Sequence, residues 1–239
     1  MQPTTALQPG EHFLFWNEMV PETELHADGY HGFQAPQDGT YRHRLWQSGS
    51  IDFLKDIEAG IPSTCTETAT AERQDGSTAV TTTRDIVQHN QMCLTERRTL
   101  LYTDILPSSR KVRAPAAALK CSQRVLVPSE VLLFRYAALT NNGHRIHYDK
   151  QYTQQVEGYS NILVQGSLNV TLLLQHLASQ LAPSQHMTHC EYKMISPCYV
   201  GETLRYCVEN SLSGKIHTRA YILGQHGDLK LQLSATLIS

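Results

Sequence analysis

Much of what would make this chain easy to classify is missing. Its 239 residues include six cysteines, Cys65, Cys93, Cys121, Cys190, Cys198 and Cys207, and no two form a Cys-x-x-Cys pair. A zinc ribbon or dithiol redox motif is therefore unsupported, and the wide spread fits buried thiols in a reducing compartment better than a disulfide framework. No uncharged apolar run reaches the roughly 18 residues of a membrane span. The first ten residues have no apolar run and no arginine, so neither a secretory nor a transit peptide is expected. The last five, Ala235 to Ser239, read as a strand end without an address signal. No G-x-S-x-G elbow occurs, which leaves a serine hydrolase unsupported. Lys plus Arg number 20 against 22 Asp plus Glu, a net charge of -2. That balance offers no nucleic-acid face and no like-charge tail. The expectation is a soluble intracellular protein, cytoplasmic, with a mitochondrial location as the alternative. Nucleic acid and membrane are not expected partners.

What is present begins with a core. Hydrophobic residues make up 41%, below the usual range but enough for a chain of this length to fold as one large or two small domains. Phe13, Leu14, Phe15, Trp16, Met19 and Val20 predict a short amphipathic helix over 11–20, closed by Pro21. Residues 22–39 are polar and broken by Gly29, Gly32, Pro36 and Gly39, so they predict a long loop. Strands are predicted over 41–46, 49–54, 63–72, 79–89 and 92–105, with Asp75-Gly76 as a hairpin turn. Residues 107–120 have linker composition. Arg110, Lys111, Arg113 and Lys120 there form a basic cluster, read as a solvated linker or as a nucleotide-phosphate contact. A short strand over 124–127 precedes a helix over 131–139, with Ser129 as its N-cap. A second helix, 168–177, is apolar nearly all round and so is expected to be buried. Strands are then predicted over 189–196, 203–209, 217–223 and 230–238, with turns at Ser213-Gly214 and His226-Gly227-Asp228.

A buried helix followed by consecutive antiparallel strands predicts a sheet wrapped on that helix, the hot-dog arrangement. The stretch from Phe53 to Gly60 echoes that from Met194 to Gly201, which suggests a duplication. The fold class expected is α+β, a double hot-dog: two tandem antiparallel sheets, each wrapped on a helix. The first copy is degenerate, its long helix lost or replaced by the stretch around Trp16. The halves are expected at 1–106 and 121–239, with 107–120 between them.

One stretch concentrates the chemistry. Asn142 to Asp149 holds Asn142, His144, Arg145, His147 and Asp149 within eight residues. Apolar helices flank it, and Gln165-Gly166-Ser167 introduces the second. Asn141-Asn142-Gly143 also suits a helix-ending turn. Polar groups between two helices that must bury themselves are expected to line a cleft.

The run Thr140-Asn141-Asn142-Gly143-His144-Arg145-Ile146-His147-Tyr148-Asp149 resembles the signature of MaoC-like hydratases. The likeness is to the double hot-dog branch containing mitochondrial 3-hydroxyacyl-thioester dehydratases and mesaconyl- or itaconyl-CoA hydratases. Glu157-Gly158-Tyr159 and Val164-Gln165-Gly166 continue it, and Phe13 to Trp16, Asp28-Gly29 and Arg44-Leu45-Trp46 before Ser48-Gly49 are similar more loosely. There are departures: Asn141 stands for an aromatic residue, His144 for an asparagine, Gln165 for a histidine and Ser167 for a proline. Asn142 stands where single hot-dog hydratases carry an aspartate, although asparagine is usual in this branch.

The resemblance implies a hydro-lyase acting reversibly on an enoyl or 3-hydroxyacyl thioester, the departures leaving room for a polyketide-type chain. Under it His147 is the base, and Asn142 orients water through its amide oxygen. The N–H of Gly166, with Ser167, forms an oxyanion site at a helix start; close packing is the other reason for a glycine there. His144 and Arg145 bind phosphates of coenzyme A or an acyl carboxylate, or else form a surface ion pair. Asp149 holds the imidazole or caps a helix. Gln165 and Ser167 complete the expected substrate-binding set. No metal is expected, since His144 and His147 lack a third ligand. No cofactor is expected beyond the coenzyme A or acyl carrier of the substrate, and a homodimer is allowed. The rival readings are a hot-dog thioesterase and a non-catalytic acyl-binding module.

Overall fold

The computed structural model describes residues 5–36, 41–106, 111–119, 121–209, 214 and 216–238. Arg110 and Lys120 of the basic cluster, and Ser213 of the predicted turn, lie outside them. The first half contributes β1 (His43–Phe53), β2 (Ser63–Gln74), β3 (Ser77–Gln88) and β4 (Gln91–Thr103). The second contributes β5 (Cys121–Leu126), α1 (Glu130–Leu139), α2 (Lys150–Gln155), α3 (Gly166–Ala178), β6 (His186–Met194), β7 (Leu204–Glu209), β8 (His217–Leu223) and β9 (Leu229–Ile238).

The two expected sheets are fused edge to edge. Their strands form one nine-stranded sheet in the order β2-β3-β4-β1-β6-β9-β8-β7-β5. Every ladder is antiparallel, and the seam is β1 against β6, with Ile51 opposite Cys190. Two type I′ turns set the hairpin registers: Asp75-Gly76, and His89-Asn90 with φ of 51° and 60°. β1 is one strand where two were expected, because a bulge between Trp46 and Ser48 shifts the register. An extra residue there reverses the side-chain alternation, which is why the period of two breaks in the sequence.

α3 is the helix the sheet wraps. Leu168, Val170, Leu173, Leu174 and Leu177 are all buried, and the helix lies against β6, β7 and β8. The predicted helix over 11–20 does not form. Only a 3₁₀ turn, Glu11–Leu14, is present, and Trp16 has φ of 54°. Side chains take the carbonyls that a helix would need: Asn17 Nδ2 donates to Phe13 O at 3.0 Å, and Arg84 Nη2 donates to Trp16 O. Phe13 is buried against Trp46, edge-on, with ring centres 5.8 Å apart. The stretch predicted as solvated linker also docks. Leu229 N donates to Val112 O at 2.8 Å, and Ala118 is fully buried beside Cys207 and Tyr221.

Candidate active site

The polar loop is built by the end of α1. Ser129 caps the helix start, its hydroxyl accepting from Leu132 N at 3.2 Å. At the other end Asn142 N returns to Ala137 O at 2.9 Å, and Asn141 takes φ of 49°. Asn141 Nδ2 donates to Glu18 O at 2.8 Å, tying the turn to the N-terminal segment. That segment then runs along the loop. Arg145 N donates to Asp28 O at 2.8 Å, and Gly29 and Gly143 pack backbone to backbone, where a β-carbon on either would strike the other's carbonyl.

His147 ends a 3₁₀ turn, Arg145–His147, and its residue is 8% exposed. Its Nδ1 lies 2.9 Å from Leu163 O. A carbonyl only accepts, so Nδ1 carries the proton and Nε2 keeps the free lone pair. Burial, aided by the charge on Arg44 and opposed by the Leu163 bond, pushes its pKa down to about 4. The ring is therefore neutral at pH 7, as a base must be. Leu163 N also donates to Ile146 O at 3.0 Å, so the chain passing His147 leads three residues later into Gly166 and α3.

The start of α3 has no side-chain cap. Gln165, its N-cap residue, instead donates from Nε2 to Leu133 O at 3.0 Å. Its Oε1 is buried without a partner. Asn169 N closes the first helical bond onto Gln165 O at 3.1 Å, so the N–H groups before it are the helix's open donors. Gly166 and Ser167 are partly exposed. Ser167 neighbours the buried Tyr136 hydroxyl.

His144 is buried, not at the surface. Arg44 Nη2 lies 3.0 Å from its Nδ1, and its Nε2 is 3.7 Å from Asp28 Oδ2. A guanidinium only donates, so Nδ1 accepts and the proton sits on Nε2 toward the carboxylate. Burial first, then Arg44 and His147, hold its pKa well below the usual histidine value. The His144 and His147 rings stand edge to face, 5.5 Å apart.

Asn142 Oδ1 accepts from His144 N at 3.1 Å, so the oxygen expected to orient water is turned into its own loop. Asp149 does not hold the imidazole. Its Oδ1 caps α2 by accepting from Tyr152 N at 2.9 Å, and its Oδ2 accepts from Arg145 Nη2 at 2.8 Å. Arg145 lies over the Tyr152 ring and also donates to Ala27 O at 3.2 Å. These two form a pair at the rim, apart from the buried histidines. Among the described residues no group of three or more side chains suited to a metal occurs.

The residues that sequence reasoning missed come mostly from the first half. Arg44, on β1, has its guanidinium 3.3 Å from the centre of the Tyr30 ring as well as on His144. Tyr30 in turn stands 6.1 Å from the His144 ring. His43 Nδ1 meets Glu157 Oε2 at 2.6 Å, both buried, which pins β1 to the segment after α2. The signals in the sequence were the segments Asp28-Gly29, Arg44-Leu45-Trp46 and Glu157-Gly158-Tyr159, which carry the resemblance but by themselves assign no contact.

A family model described as hydroxyacyl-thioester dehydratase type 2 matches residues 10–200. The mitochondrial hydroxyacyl-thioester dehydratase type 2 of Schizosaccharomyces pombe is 28% identical over 238 residues, covering 87% of this chain and 79% of that protein. The mesaconyl-C(4)-CoA hydratase of Chloroflexus aurantiacus is 31% identical over 185 residues, covering 72% of this chain and 64% of that protein. A Mycobacterium tuberculosis structure described as a double hotdog fold aligns with a TM-score of 0.58 at 14% identity, covering 99% of this chain and 83% of that one. With the seam between β1 and β6 joining two sheet halves, the fold is a double hot-dog, and the chain belongs to the hydroxyacyl-thioester dehydratase type 2 family.

Proposed function

We propose that this chain is a hydro-lyase that adds water to, and removes it from, acyl thioesters at the cluster around His147. The observation that carries the reading is the buried His147 ring: its Nδ1 is spent on Leu163 O, three residues ahead of α3, and its Nε2 is free, with burial holding its pKa low. In the hydration direction Nε2 takes a proton from water as the hydroxyl bonds to C3 of the enoyl group. The displaced electron pair moves through C2 to the thioester oxygen, where the N–H groups of Gly166 and Ser167 hold it. The imidazolium then returns the proton to C2. Dehydration runs the same steps backward.

Asn142 serves this scheme by fixing the loop through His144 N, not by holding water through the same oxygen. Arg44 and Asp28 hold His144 in one tautomer beside the base. Arg145 and Asp149, partly exposed and paired with each other, would meet the coenzyme A or acyl-carrier arm in this reading. The mitochondrial naming of the yeast relative supports the mitochondrial over the cytoplasmic reading. Val125, Val131 and Phe134 are exposed apolar residues on β5 and α1. A second copy of the chain would cover them, and light scattering tests that homodimer.

The function is tested by following enoyl absorbance on crotonyl-, mesaconyl- and longer enoyl-CoA thioesters, with free thiol measured in parallel. Loss of the enoyl band without thiol release is expected. Thiol release instead identifies a thioesterase, and no change in either signal removes the proposal.

A further inference from the structure

α1 carries more apolar surface than the fold covers. Of its ten residues only Glu130 and Arg135 are charged. A helix that is apolar nearly all round is normally buried on every side, as α3 is. This one is buried on one side only. Leu133, Tyr136 and Ala137 face the core, and Leu133 O accepts from Gln165 Nε2 at 3.0 Å. On the other side Val131 and Phe134 are each 67% exposed, and Ala138 and Leu139 are exposed as well. Val125 and Val127, on the chain just before the helix, are also exposed.

The exposed side is ordered like one seam of a two-stranded coiled coil. At about 100° per residue, Phe134, Ala138 and Val131 fall within about 60° of arc. They are spaced three and four residues apart, as successive a and d positions of a heptad are. Glu130 stands about 40° to one side of that row and Arg135 about 40° to the other, which makes them the flanking g and e positions. Both are exposed, and among the described residues neither side chain has an ion-pair or hydrogen-bond partner. Leu139 lies farther round the helix, beyond Arg135.

We infer that this face pairs with the same face of a second copy of the chain, the two α1 helices running parallel about a two-fold axis between them. That arrangement sets the Glu130 side of each helix against the Arg135 side of the other. It closes two Glu130–Arg135 pairs over the row of Val131, Phe134 and Ala138. An antiparallel pair sets Glu130 side against Glu130 side and Arg135 side against Arg135 side, and closes none. The charges therefore select both the occupant and its orientation. A partner of different sequence would need opposite charges in the same order, and this chain already supplies them. The seam is only about three turns long, short of the roughly 800 Å² that a standard interface buries on each partner, so the dimer is expected to be weak, in the micromolar range. The inference deepens the homodimer reading and rests on it. It is independent of the hydro-lyase chemistry.

Sedimentation velocity on the full chain gives the dimer dissociation constant. It is measured for the wild type, Phe134→Ser, Glu130→Arg, Arg135→Glu and the double variant Glu130→Arg/Arg135→Glu, each first checked by thermal melting. Phe134→Ser is expected to weaken the dimer at least tenfold, and each single charge variant at least fivefold. The double variant restores opposite charges across the seam and should return to within twofold of wild type. An equimolar mixture of the two single variants, in which each helix carries one sign only, should form mixed dimers at least fivefold tighter than either variant alone. A wild-type dimer indifferent to all these substitutions overturns α1 as the interface and leaves the homodimer standing. A dimer weakened by Phe134→Ser but not restored by the double variant or the mixture overturns the parallel pairing. A chain that stays monomeric throughout the micromolar range overturns the homodimer reading together with the inference, and leaves the α1 face to a different protein.

Discussion

The indole of Trp46 rests on Gly166: a β-carbon added to Gly166 would stand 2.9 Å from Cε3 and 3.2 Å from Cδ2 of the ring, with the Met194 methyl at 3.3 Å. Trp46 belongs to the first half and Gly166 opens the helix of the second. The first half thus packs directly on the start of the second half's helix. Gly166→Ala forces the ring or the helix to shift. We expect a cost of about 1–3 kcal/mol, seen as a melting point lower by several degrees. We also expect turnover reduced by about 10²-fold, the scale of an ångström-sized misplacement at a reacting centre. Thermal melts and kinetics on the purified variant check both.

The acid side of the stability curve should be steep. His12 and His147 are each pushed down to about 4 by burial, and His144 is also well below the usual value. In the unfolded chain these rings titrate near 6.5. Between about 6.5 and 4 the unfolded chain binds more protons than the folded one, so stability is complete above 6.5 and is lost as pH falls through that window. The ceiling is roughly 3 kcal/mol for each ring that reaches 4. Urea midpoints at pH 7.5, 6 and 5 measure it. His147→Gln should flatten the decline, and a midpoint that holds constant across these values would contradict the burial of neutral histidines.

Arg44 should act on the pH profile as well as on rate. Its charge opposes protonation of both His144 and His147. Arg44→Gln removes that charge, so the acid limb of kcat/KM moves to higher pH, and kcat falls as His144 loses its donor. Arg44→Lys keeps the charge and should leave the limb in place while losing the flat stacking on Tyr30. The same limb in Arg44→Gln and wild type would show that Arg44 only packs.

Glu96 is 1% exposed and holds Arg98 by two hydrogen bonds, with Arg84 and His12 each at 3.8 Å. Glu96→Gln leaves buried guanidinium charge without its main partner. Breaking such a pair typically costs about 3–5 kcal/mol. Arg98→Met should recover part of that loss in the double variant, as denaturant titrations would show.

The legible parts of the sequence were those ruled by local pattern. The all-round apolar run from Leu168 to Leu177 marked the buried helix, Ser129 marked a helix start, and Asp75-Gly76 marked a turn. The loop from Asn142 to Asp149 was visible because its polar residues crowd together. What stayed hidden depends on contacts far apart in the chain. Phe13 to Val20 has helical spacing, yet Arg84 and Asn17 claim its carbonyls. Asp149 was open to two readings, a partner for His147 or a helix cap; it caps α2, and the imidazole bonds instead to the Leu163 backbone, which leaves no side-chain trace. Arg44 reads as one charge in a strand, and only the joining of β1 to β6 brings the first half alongside the second, where it meets His144.

The central claim is that His147 exchanges the proton, and the enoyl-absorbance assay on His147→Ala tests it most directly. With a melting curve showing the variant folded, turnover is expected to fall by about 10²-fold or more. Turnover within a few-fold of wild type would place the proton on another group and contradict the account.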